Sequence, residues 1–212
     1  SFEEAAMTEP LACATYGVSN LEVQPGDFAM VFGAGSIGCM MMQMIKASGA
    51  GRLVAVDVVD YRLKVAEKMG ADVVVNTKDQ DSPYYKEDLK ALIEDMTDGK
   101  FADAVITPTG AVPAMEAALD CSGRRSRVVF FGLPADDAVV RVKALETILW
   151  DKTIRFSWLA PLVWPRALDS IAAGLVNLKP LATHTYSLDK LIDAITLVRD
   201  KKDDVMKALV KP

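Results

Sequence analysis

Residues 28–57 read FAMVFGAGSIGCMMMQMIKASGAGRLVAVD. Phe28–Phe32 is a short aromatic and β-branched run of the kind that fills a buried strand. Gly33-Ala34-Gly35-Ser36-Ile37-Gly38 follows at once, Ile37–Ile45 is Met-rich and helix-friendly, and Leu53–Asp57 is a second apolar run. Strand, glycine turn, helix and strand in that order predict a parallel βαβ unit. A G-x-G-x-x-G pattern alone is weak, because ordinary βα turns also collect glycines. Placed directly after a strand and opening a helix, it gains a physical meaning. Gly33 allows the tight turn, Gly35 lets a ligand's diphosphate approach the backbone, and Gly38 permits close helix–strand contact. The amides that open the helix, from Ser36 and Ile37 onward, then face the diphosphate together with the positive end of the helix dipole.

Asp57 ends the second apolar run, 19 residues beyond Gly38. At that spacing a carboxylate accepts hydrogen bonds from the hydroxyls of an adenosine ribose and repels a 2′-phosphate, which selects NAD over NADP. The plainer reading of Asp57 by itself is a solvated acid at a strand end. Arg62, five residues on, either pairs with Asp57 or lies along the adenosine, so the cofactor preference rests on Asp57.

The alternation continues on both sides of this unit. A helix over Tyr61–Met69 stops at Gly70, and Val73–Val75 is a short strand. Ser82-Pro83 has the form of a helix cap and first turn ahead of Leu89, Leu92, Ile93 and Met96. Ala104–Ile106 and Val128–Phe131 are further strands, with a helix from about Val112 to Cys121 between them. Uniformly apolar strands separated by helices predict a doubly wound, mostly parallel α/β sheet of the Rossmann type, with about six strands and helices on both faces. A helix is expected to start near Thr8, RFSWL after Ile154 reads as a last strand, and two more helices follow. Ser187 would cap one that carries Leu188, Leu191, Ile192, Ile195 and Val198 on one face. The expected division is residues 1–26 as a linking helix, 27–159 as the dinucleotide-binding domain, and 160–212 as C-terminal helices and a strand completing it.

Composition narrows the function. The 212 residues carry 24 Lys and Arg against 29 Asp and Glu, a formal charge of −5, with 51% hydrophobic and 25% charged residues. That is a globular composition, and the negative balance argues against nucleic-acid or anionic-membrane partners. Phe28–Ile45 is free of charge but is broken by glycines and polar residues, so it reads as strand plus helix rather than a membrane span. The acidic start SFEEAAMTEP has no signal-peptide character. Three scattered cysteines, Cys13, Cys39 and Cys121, exclude a disulfide framework and fit a reducing cytoplasm. With a single histidine, His184, they also exclude a self-contained Cys/His zinc site.

Beyond this point the residues resemble a family. VQPGD at 23–27, VFGAGSIG, LVAVDVVDYRLKVAEKMGAD, Asp103–Ile106, Thr109-Gly110, RVVFFGL at 127–133, PLATH at 180–184 and the terminal Met206–Pro212 look like the coenzyme part of the zinc-dependent medium-chain dehydrogenases. The sorbitol, threonine and alcohol dehydrogenase types are the most similar. The resemblance covers nearly the whole chain. It implies hydride transfer between NAD and a secondary alcohol or polyol at a catalytic zinc, which acts as a Lewis acid on the substrate oxygen. It also implies that Thr109-Gly110 and Gly132-Leu133 line the cofactor toward its nicotinamide, and that Lys207 contacts the diphosphate. Glu9, in Glu9-Pro10-Leu11, stands where relatives place an acid beside the zinc, as a ligand or as partner of its water. A helix-start glutamate beside Thr8 needs no such role, since the helix dipole alone favours it.

The family's zinc cysteine, its His-Glu ligand pair and its proton relay have no counterpart here. His184 reads as structural, and the cysteines as small buried residues. The resemblance therefore implies the C-terminal part of a longer enzyme, inactive alone and binding no zinc by itself, with apolar surface turned toward the missing lobe. The alternatives are a non-catalytic Rossmann module that senses NAD(H) and, opposed by Asp57, a zinc-free quinone-reductase type using NADPH. Homo-oligomerisation as a dimer or tetramer is expected through an edge strand near Thr153–Leu159, as relatives do. The identity of the alcohol is not written in these residues.

Overall fold

A computed structural model describes residues 1–200 and 202–212. Six strands form one sheet: β1 (Phe28–Phe32), β2 (Arg52–Asp57), β3 (Val73–Asn76), β4 (Ala102–Thr107), β5 (Ser122–Phe130) and β6 (Thr153–Phe156). Their order is β3-β2-β1-β4-β5-β6 and every pairing is parallel. The chain runs outward from β1 to β3 and then returns to place β4 on the other side of β1. The reversal opens a crevice at the carboxyl ends of β1 and β4, where doubly wound sheets bind ligands.

Both faces of the sheet are covered, and the strands alternate strictly between them. Ala29, Val31, Leu53, Ala55, Ala104 and Ile106 pack against α2 (Thr8–Leu21), α3 (Ser36–Ala47) and α4 (Asp60–Lys68). Met30, Phe32, Val54, Val56, Val105 and Val128 face the opposite side, against α5 (Leu89–Met96) and α6 (Val112–Asp120). The Met-rich run becomes α3, with Met40, Met41 and Met42 fully buried. Its lack of charge thus follows from packing inside a covered sheet, and no helix among the described residues is long and apolar enough to cross a membrane.

The remaining elements are α1 (Phe2–Ala6), α7 (Ala144–Leu149), α8 (Trp164–Ala172), β7 (Ala182–Ser187), α9 (Leu191–Asp200) and β8 (Lys207–Lys211). Strands β7 and β8 pair in parallel as a separate two-stranded sheet. Helix α9 buries Ala194 and Leu197, while Leu188, Leu191, Ile192, Ile195 and Val198 remain exposed. The predicted apolar stripe therefore exists, but it is turned outward. Strand β6 is one edge of the large sheet and leaves Phe156 77% exposed.

Several local expectations are corrected. Ser82-Pro83 does not cap α5. Asp88 does, accepting from the Ala91 amide at 2.9 Å, and Ser82 instead serves the loop after β3. A proline after a serine marks a turn as readily as a helix start, and the nearer acid wins. Thr8 is the first residue of α2 rather than its cap; its Oγ1 donates to the Glu4 carbonyl, and Met7 occupies the cap position. Ser187 makes no capping hydrogen bond, and a short 3₁₀ turn (Leu188–Lys190) precedes α9. Cys39 and Cys121 are buried as expected, but Cys13 is only half-buried. His184 sits in β7 with Nδ1 at 2.9 Å from Thr183 Oγ1.

The cap assignment has a direct test. Asp88→Ala is expected to lower stability by about 1 kcal/mol in urea unfolding, the usual loss for a missing helix cap. Ser82→Ala should leave the helical circular dichroism signal unchanged, because that serine starts no helix.

Candidate functional site

The crevice is built at the carboxyl end of β1. Gly33 adopts φ +116°, a left-handed conformation that side chains resist. A Cβ at Gly38 would collide with the Gly33 carbonyl oxygen, so the first turn of α3 presses directly on the loop. Nothing lies within 4 Å of the Cβ position of Gly35, which leaves open space over the middle of the loop. The Cys39 amide is the first of α3 to find a carbonyl, that of Gly35. Among the described residues the amides of Gly35, Ser36, Ile37 and Gly38 donate to no acceptor. Free amides at a helix start beneath open space form an anion cradle.

Asp57 borders this cradle from the end of β2 and is buried, at 8% exposure. Its Oδ2 accepts from the Ala34 amide at 2.7 Å, and its Oδ1 accepts from the Val58 and Val59 amides at 2.7 and 3.0 Å. A carboxylate offers about four acceptor positions. Three are taken by backbone, and one on Oδ2 is left for a ligand hydroxyl. The plain reading of Asp57 as a solvated acid is thus displaced. It straps the glycine loop of β1 to the turn after β2. Arg62 is half-buried in α4 and pairs with no acid among the described residues. Burial pushes the Cys39 thiol up to about 12, with the Asp57 charge raising it further and Arg62 opposing. Both charges therefore bear on the same spot under the loop.

The other half of the crevice is tied in by close backbone approach. A Cβ at Gly33 would touch Thr109, one at Gly110 would collide with the Leu133 carbonyl, and one at Gly132 with the Thr109 carbonyl carbon. The ends of β1, β4 and β5 are therefore in mutual contact, with Leu133 69% exposed at the rim. Lys207 belongs to the second sheet, in register with Ala182 of β7. Burial raises the Tyr61 hydroxyl of α4, and the charge of Asp204, three residues before Lys207, adds to it.

Glu9 is placed by helix α2. Gly17 of that helix meets Ile106 of β4, Phe131 just beyond β5 and Met41 of α3, and the Asn20 and Glu22 carbonyls receive Arg155 and Arg127. The helix thus descends from the carboxyl ends of the strands, and Glu9, eight residues before Gly17, stands about 12 Å higher at 1.5 Å per residue. There Glu9 Oε1 accepts from the Cys13 thiol at 3.3 Å. Burial, then the Glu9 hydrogen bond and charge, push that thiol up to about 11. No group of three His, Cys, Asp or Glu side chains that could hold a metal occurs among the described residues.

Sequence reading missed the Cys13–Glu9 pair, although i,i+4 spacing on one helix makes it legible. It also missed Asp60, whose partners Asn76 and Ser82 come from distant segments.

A doubly wound sheet with an anion cradle and a strand-end acid at its switch point defines a class of nucleotide-binding α/β proteins. A model of the zinc-binding dehydrogenases matches residues 36–173. The chain belongs to this family. It is 30% identical over 98% of its length to erythritol/L-threitol dehydrogenase of Mycolicibacterium smegmatis, and spans 55% of that relative. The solved 2R,3R-butanediol dehydrogenase of Bacillus subtilis matches with a TM-score of 0.88 at 26% identity, over 100% of this chain and 58% of that one. A short chain alcohol dehydrogenase of E. coli CFT073, complexed with NADH, shares the fold at TM-score 0.88 and 22% identity, over 100% of this chain and 60% of that one. The chain thus covers little more than half the length of the proteins it resembles.

A raised thiol pKa predicts slow alkylation. With its pKa near 11, about one Cys13 in a thousand is thiolate at pH 8, so iodoacetamide labelling should be slow and should climb with pH toward that value. Glu9→Gln removes the charge and should speed labelling at pH 8 severalfold, read by mass spectrometry of the Cys13 peptide.

Proposed function

We propose that this chain is the NAD(H)-binding portion of an alcohol or polyol dehydrogenase that transfers hydride between NAD and a secondary alcohol. The observation that carries this reading is the cradle of unbonded amides at Gly35–Gly38 beside the one open acceptor position of buried Asp57. The polyol and alcohol activities named for its relatives, one of them solved with NADH, support the same reading.

In this account the Ser36, Ile37 and Gly38 amides hold the diphosphate, and Gly33 and Gly35 keep the approach clear. Asp57 accepts a ribose hydroxyl, and Arg62 lies along the adenosine. Thr109-Gly110 and Gly132-Leu133 guide the rest of the molecule toward the β4–β5 side, and Lys207 approaches the diphosphate from the second sheet. When bound, the nicotinamide supplies the hydride donor or acceptor. Glu9 faces the corner where substrate oxygen and metal would meet, and the remaining metal donors come from outside these residues. On its own the chain should bind dinucleotide without turnover.

The chain then divides into a nucleotide domain at 27–159, a helical link at 1–26 and a C-terminal part at 160–212. The exposed apolar stripe of α9 then packs on the remainder of the enzyme, and the free edge of β6 pairs with a second copy. Three unpaired cysteines fit residence in the cytoplasm. A non-catalytic sensor would bind the dinucleotide equally well, but the activities of the relatives favour the enzyme.

The test is fluorescence titration. NADH should bind much more tightly than NADPH, and equal affinities would refute the role given to Asp57. Asp57→Asn should weaken NADH binding about ten- to a hundredfold, since a hydrogen bond to a charged acceptor contributes about 1.5–3 kcal/mol.

A further inference from the structure

We propose that the alcohol handled at this crevice carries an apolar body, an alkyl or aryl group on the carbinol carbon, which packs on a wall of Leu133, Trp158 and Leu159. The proposal rests on the NAD(H) and alcohol reading above and narrows its substrate class. The wall stands where two loops leave the sheet side by side. Phe130 of β5 pairs with Phe156 of β6 in parallel register, and the Ser157 amide still donates to the Phe130 carbonyl at 2.9 Å. Residues 131–135 and 157–163 therefore emerge at the same carboxyl edge as Thr109-Gly110, where Gly110 presses on the Leu133 carbonyl. Glu9 overlooks this edge, because Gly17, about two helical turns below it, meets Phe131.

What these loops offer a ligand is almost entirely hydrocarbon. Residues 131–135 read FGLPA and 156–164 read FSWLAPLVW, with no charged side chain and one hydroxyl, that of Ser157. Ser157 is buried, and its Oγ is shut off from solvent with no hydrogen-bond partner among the described residues. Leu133, Trp158 and Leu159 are exposed instead. The second loop is pinned in this form. Val163 is buried and Ala160 packs against the same apolar cluster that α2 and α3 build. Between and beside them, Leu159 and Leu162 take left-handed backbone at φ 58° and 59°. Leucine resists that conformation, and strained residues of this kind gather where ligands are clamped.

The wall discriminates by what it lacks. A polyol carries a hydroxyl on every carbon. Against these side chains each hydroxyl gives up water and meets groups that neither donate nor accept, the costly way to bury a polar group. An alkyl or aryl group gains from the same contact, since it and the wall shed water together. Such a substrate needs one hydroxyl only, the carbinol oxygen, turned toward the Glu9 corner. The remainder of the enzyme closes over the far side of the ligand, so the exposed face of Trp158 is one half of a cleft.

The experiment loads the whole chain with NAD and measures saturation-transfer NMR to two ligands built on the same ring. These are cyclohexanol and inositol, the second with a hydroxyl on every carbon. Cyclohexanol should receive transfer and inositol should not. Trp158→Ser should lower the cyclohexanol transfer about three- to tenfold, the fold-change for half the burial of a large apolar side chain. Leu159→Asn serves the same comparison if that variant melts early. The control is Leu149→Ser on α7, an exposed leucine beside Trp150, whose carbonyl receives the Arg125 amide at the amino side of the sheet; it should change nothing. No transfer to cyclohexanol, equal transfer to inositol, or an equal loss in Leu149→Ser overturns the proposal. So does a dimer that Trp158→Ser converts to a monomer in sedimentation while cyclohexanol transfer persists, because a second copy then covers the wall. In all these cases a chain that binds NADH keeps the NAD(H) reading. Failure of the unmodified chain to bind NADH defeats that reading itself.

Discussion

The crevice depends on one carboxylate used as a strap. Asp57 reaches back from the end of β2 to the Ala34 amide and at the same time gathers the Val58 and Val59 amides. Without it the glycine loop and the turn into α4 would each present unpaired donors in a buried place, a cost of about 1–3 kcal/mol per group. With it, the loop is tied down before any ligand arrives, and among the described residues the amides of Gly35–Gly38 donate to no acceptor. Preorganisation of this kind lowers the ordering cost of binding.

Around that strap the molecule shows two kinds of surface. The six-stranded sheet is closed by helices on both faces, and its strands alternate cleanly between two apolar clusters. The margins are less complete. The second sheet has only β7 and β8, although parallel strands are ordinarily found in larger, fully covered sheets. Helix α9 turns a row of branched aliphatic residues outward, and Phe156, Trp158 and Leu162 stand exposed beyond β6. Surfaces of this composition are normally covered, and the proposal that more of an enzyme and a second copy cover them accounts for both margins.

Legibility followed the range of the interactions. The strand–turn–helix–strand unit at 28–57, the glycine turn and the acid at position 57 were readable because each depends on neighbours within one βαβ unit. The cap of α5 was misread because Ser82-Pro83 and Asp88 both satisfy local cap rules, and only the fold reveals that Ser82 is occupied by Asp60. The outward stripe of α9 was correctly recognised as a stripe, but periodicity states that a face is apolar and not what it meets.

The amino-acid order by itself determined that a covered parallel sheet forms, since uninterrupted apolar strands between helices have few other ways to bury themselves. It also determined that a glycine loop would leave backbone amides free at the start of α3. Only the tertiary structure decided how Asp57 and Asp60 are held. Asp57 and Asp60 owe their positions to Ala34, Asn76 and Ser82, residues brought together by strand pairing across 16 to 23 positions of chain. Hydrogen bonds of that reach depend on register and loop path, which no local preference encodes.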